Sequence, residues 1–84
     1  MTNKDILKKQ IIYRSMHRGT KEMDMLLGNF VKKYINKLND NELKNLLELL
    51  FFDDEVIYKW YQEKLSNNSI PNNKVSKLFK KFKL

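Results

Sequence analysis

Between residues 20 and 38 the chain reads TKEMDMLLGNFVKKYINKL, with Met23, Leu26, Leu27, Phe30, Val31, Tyr34, Ile35 and Leu38 recurring at three- and four-residue spacings. On a helix those positions share one face, whereas a strand would scatter them over both. The segment is therefore expected to be the core helix, about Thr20 to Leu38. Only two glycines and one proline stand among the 84 residues, so little interrupts the same period elsewhere. The expected fold is all-α, a small five-helix bundle forming one domain over residues 1–84.

The flanking helices follow from local signals. A first helix is expected from about Lys4 to His17, with Thr2 or Asn3 as cap and Ile6, Leu7, Ile11 and Ile12 as its apolar positions. Leu7, Ile11, Arg14 and Arg18 lie along one side of it, so an apolar stripe turns basic at the C-terminal end. Asn39 with Glu42 three residues on reads as a capping box opening a third helix to about Phe52, with Leu43, Leu46, Leu47 and Leu50 inward. Asp53, Asp54 and Glu55 supply a cap and first-turn acids for a fourth helix through Glu63, burying Val56, Ile57, Trp60 and Tyr61. Residues 66–73, SNNSIPNN, are loop by composition, and residues 74–84 form a basic C-terminal helix or arm that carries Val75, Leu78, Phe79 and Phe82 on one face.

Several function classes are removed at once. Cysteine is absent and histidine occurs once, which excludes disulfides, thiol nucleophiles and thiolate or multi-histidine metal sites. Phosphate loops, zinc-protease motifs and nucleophile elbows are missing, so an enzyme with its own active site is not expected. The run LLELLFF is far short of the ~20 residues of a membrane span, so no membrane insertion is expected, and the N-terminus reads as mature cytoplasmic sequence. Net charge is +7, concentrated at both ends, while residues 39–56 hold six acids against one base. Such asymmetry suits an anionic partner, although blocks of lysine are commonly only a solvated face.

Binding is left as the default, and RSMHRGTKEMD, residues 14–24, is the densest candidate. Gly19 sits where two helices meet and is free to take a positive φ, which would end one and start the next. Two readings stay open here. In one, Gly19 is a plain stop, with Arg18 near the first helix's C-terminal dipole and Glu22 near the second's N-terminus. In the other, Arg14, His17, Arg18, Lys21, Glu22 and Asp24 crowd a corner because a partner docks there. Gly28, mid-helix, is expected to mark close approach of another helix.

Arg18, Gly19, Thr20, Lys21 and Glu22 form Arg-Gly-x-x-Glu, followed by Met23, Asp24, Leu26, Leu27, Gly28 and Phe30. The pattern resumes in DDEVIYKW with Asp53, Asp54 and Trp60. Over roughly residues 10–65 this resembles the SdhE-type flavinylation factors, small succinate dehydrogenase assembly proteins. The resemblance implies a five-helix bundle that binds the flavoprotein subunit of succinate dehydrogenase, with fumarate reductase an open second client, and promotes covalent attachment of FAD to a histidine of that subunit. It implies that no cofactor is bound stably and that FAD is handled through the partner. It places Arg14, His17, Arg18, Gly19, Glu22, Asp24 and Asp54 at the docking surface, with Arg18 as a forked donor to acidic or carbonyl groups. The free form is expected to be a monomer.

The alternative class is a small basic helical nucleic-acid-binding module, since two helices joined at a tight glycine turn superficially fit helix-turn-helix. Glu22 and Asp24 in the first turn of the would-be recognition helix oppose phosphate, so no nucleic-acid partner is expected. A third class is a membrane-surface protein using the amphipathic tail KVSKLFKKFKL.

Overall fold

Thr2 accepts the amide of Asp5 and Asp5 accepts that of Thr2, a capping box that opens helix α1 (Asn3–Met16). The structure is a computed structural model and describes residues 2–62 and 70–83. Helix α2 (Lys21–Tyr34) begins where Thr20 accepts the amide of Met23. Helices α3 (Asp40–Leu50) and α5 (Lys74–Lys81) open on capping boxes built by Asn39 with Glu42 and Asn73 with Ser76, and α4 (Asp54–Gln62) lies between them. Among the described residues there are five helices and no strand, an all-α small bundle as expected.

Helix α1 packs against α2 and α3, and α3 packs against α5. The core centres on Phe30, which meets Phe79 and Phe82 edge-on at 5.1 and 5.4 Å. Trp60 stacks on Phe79 with rings 7° apart in plane, which accounts for its burial. Val75 and Phe79 are fully buried and the Tyr61 hydroxyl donates to the Phe82 carbonyl. The basic C-terminal segment is therefore a packed helix and not a free arm, so its apolar face is unavailable to a membrane surface.

Several expected details are corrected. Helix α2 ends at Tyr34, and the Lys37 amide bonds the Tyr34 carbonyl in a turn. Asn39 already caps the next helix, which leaves four residues between α2 and that cap, yet Ile35 and Leu38 stay buried beyond the end of α2. Of the four apolar positions expected to pack from α1, Ile11 is buried and Leu7 half-buried, while Ile6 and Ile12 are exposed. In α3, Leu49 is buried and Leu47 only partly so, and in α4 Val56 is exposed. Gly28 is not a close contact with another helix, because a Cβ placed there would meet no atom of the described residues within 4 Å. Glu63, expected to end the fourth helix, and residues 66–69 of the expected loop lie outside the described residues.

Candidate functional site

Helix α3 ends without a basic residue in its last turn, leaving C-terminal carbonyls in need of donors. Arg18, just past the end of α1, supplies them. Its Nη1 donates to the Leu50 carbonyl at 2.7 Å and its Nη2 to the Phe52 carbonyl at 2.8 Å. Its Nε donates to Asp54 Oδ1 at 2.5 Å, and Nη1 also reaches the Arg14 carbonyl at 3.4 Å. One planar guanidinium thus ties the end of α1 to the end of α3 and the start of α4. The fork geometry and permanent charge of arginine suit that task, and the negative end of the α3 dipole favours it.

The backbone of the corner is held by carboxylates. Asp24 Oδ1 accepts the Arg18 amide at 2.7 Å and Asp54 Oδ2 accepts the Gly19 amide at 2.7 Å. Asp54, in the first turn of α4, therefore uses one oxygen for the arginine side chain and the other for the glycine backbone. The side chains of Arg18 and Asp54 are only 9% and 19% exposed, so little water competes for the pair. Gly19 does not use positive φ, which no described residue adopts. What matters is space: a Cβ there would touch Asp54 Oδ2 at 3.4 Å.

Of the residues expected at the docking surface, the structure brings Arg18, Gly19, Asp24 and Asp54 into this one clamp. Arg14, His17 and Glu22 stand outside it and are exposed. Arg14 lies over the Phe51 ring at 4.2 Å. His17 stacks on Tyr13 at 4.0 Å, and its Nδ1 lies 2.7 Å from the Tyr13 carbonyl, which can only accept, so Nδ1 carries the proton. The Arg18 and Gly19 amides and most of the guanidinium donors thus already face oxygens of this chain. The carbonyls of Leu50 and Phe52 and the exposed ring of Phe51 are not marked by any sequence motif, although the missing base at the end of α3 is a usable signal.

Away from the corner, Asn39 donates its amide to Glu42 and Lys74 lies 3.0 Å from the same carboxylate. The Asn39 amide first and Lys74 second hold the Glu42 carboxyl below its ordinary value. This pins α5 to the start of α3.

The family model described as flavinator of succinate dehydrogenase matches residues 9–83. A mitochondrial succinate dehydrogenase assembly factor 2 of Saccharomyces cerevisiae is 36% identical over 87 aligned positions, covering 96% of this chain and 54% of the relative. The protein of the same name from Scheffersomyces stipitis is 36% identical, covering 90% of this chain and 52% of its own length. That from Arabidopsis thaliana is 34% identical, covering 73% and 32% respectively. The chain thus spans about half the length of the yeast relatives and a third of the plant one. No solved structure matches it. Among the described residues no helix is long and apolar enough to cross a membrane. The match takes in every residue of the Arg18–Asp54 clamp: the chain belongs to the succinate dehydrogenase flavinator family.

Proposed function

We propose that this chain is an assembly factor that binds the flavoprotein subunit of succinate dehydrogenase and promotes covalent attachment of FAD to that subunit. The observation that carries the reading is the family match over residues 9–83, supported by relatives that bear the name of assembly factors. In this reading the flavin and its acceptor residue belong to the client, and this chain binds no cofactor stably. Its help is positioning: it holds the client in an arrangement competent for the bond to form.

Arg18 acts indirectly. Its donors are engaged within the chain, so it sets the corner's shape while the exposed side chains of Glu22, His17 and Arg14 and the bare backbone of Gly19 meet the client. Nucleic acid is disfavoured as a partner, because carboxylates of Asp24 and Asp54 already occupy the amides that lead into α2. The proposed free form is a monomer acting in the cytoplasm. Co-elution with the purified succinate dehydrogenase flavoprotein subunit tests the reading: a complex weakened by Glu22→Ala supports it, and failure of the wild-type chain to bind contradicts it.

A further inference from the structure

Gly28 occupies the interior of α2, where glycine is less favourable than alanine. Among the described residues nothing calls for it: its φ is not positive, and a Cβ would meet none of their atoms within 4 Å. A destabilising residue with no internal reason points to something outside.

Outside Gly28 lies a groove of about 610 Å³ between α1 and α2. Ile12 and Met16 line it from α1 and Met25, beside Asn29 and Lys32, from α2, and the three apolar side chains are 42%, 60% and 50% exposed. Three large apolar side chains around one hollow are not the scattered exposure normal for a small domain. The groove is continuous with the corner, because Asp24 lines it and also holds the Arg18 amide. In the reading proposed above the client docks at Gly19 and Glu22, on the side where Asp24 opens into the groove. A second copy of this chain is a poorer occupant, since the lining falls well short of the ~20–30 residues per side of a self-sufficient interface. As one part of a larger surface it suffices, and flexible methionine walls adapt to the segment received.

We propose that the α1–α2 groove floored by Gly28 receives an apolar segment of the flavoprotein client, whose side chains seat against the bare backbone of Gly28. This rests on the client assignment made above. Gly28→Ala, Gly28→Leu and Met25→Asp in the 84-residue chain are compared with wild type by thermal melting, sedimentation and affinity for the purified succinate dehydrogenase flavoprotein subunit. Gly28→Ala is expected to melt higher yet bind several-fold more weakly. Gly28→Leu is expected to lose about tenfold or more in affinity, the scale of one buried anchor. Met25 is exposed, so Met25→Asp keeps the fold and decides the matter if Gly28→Leu misfolds; it too is expected to bind weakly. Wild-type affinity in the folded groove variants overturns the groove while leaving the client assignment standing. A wild-type chain that does not bind the subunit overturns both, and a wild-type dimer dissolved by Gly28→Leu gives the groove to a second copy and overturns the proposal.

Discussion

Arg18 and Asp54, 36 positions apart in sequence, meet through Nε and Oδ1 at 2.5 Å, and the second oxygen of the same carboxylate takes the Gly19 amide. The pair is well shielded and each partner has further bonds, so it differs from a surface ion pair of little consequence. Removing the arginine leaves the Leu50 and Phe52 carbonyls and Asp54 Oδ1 without their donor, and removing the carboxylate leaves the Arg18 Nε and Gly19 amide without an acceptor.

Arg18→Ala is accordingly expected to destabilise the fold by about 2–4 kcal/mol, through the unsatisfied Leu50 and Phe52 carbonyls and an Asp54 Oδ1 left without its guanidinium. For a domain of this size that lowers the melting temperature by about 10 °C or more. Arg18→Lys recovers less than half, because an ammonium cannot present the same planar fork to three oxygens. Urea unfolding of the two variants checks the order; a lysine variant as stable as wild type would refute the fork.

Glu22 is exposed and outside the clamp. Glu22→Ala is expected to change stability by no more than about 0.5 kcal/mol, as surface substitutions do. Client binding is expected to fall all the same. Denaturation beside a pull-down of the flavoprotein subunit separates the two effects, and parallel losses in both would make Glu22 a folding residue.

At Gly19 the size of the side chain decides. Alanine places its Cβ in ordinary contact with Asp54 Oδ2 and needs no strained φ, so Gly19→Ala is expected to unfold within about 1 kcal/mol of wild type. Gly19→Arg must push past the Asp54 carboxylate and is expected to disturb the clamp as Arg18→Ala does. Equal stability of the alanine and arginine variants would contradict the close approach of Asp54.

The Glu42 carboxyl has its folded pKa below the ordinary 4.5. A lowered pKa adds stability that is present above the unfolded value and disappears as pH falls through the folded one. Gln preserves the capping geometry but not the ionic contact with Lys74. Glu42→Gln should thus be less stable than wild type near neutrality, and the two urea midpoints should converge in acid. A gap that persists at low pH would locate the effect in packing.

The core was legible because Leu27, Phe30 and Val31 repeat at the helical period and nothing competes for that face. The end of α2 was not, since Ile35 and Leu38 remain buried after the helix stops; periodicity reports burial, not backbone shape. Asp54 could be picked out by its residue type, but two of the acceptors that fix Arg18 are carbonyls of Leu50 and Phe52, which carry no mark in a sequence. A mid-helix glycine invites the idea of a close neighbour. Whether that neighbour belongs to the chain depends on which way α2 is turned, and Gly28 faces open space.

The most direct test of the assembly role is covalent flavin on the client. In-gel fluorescence of the denatured succinate dehydrogenase flavoprotein subunit is compared between cells with and without the gene. Fluorescence is expected to drop in the deletion, return with the wild-type chain and stay low with Glu22→Ala; undiminished covalent flavin in the deletion strain would contradict the assignment.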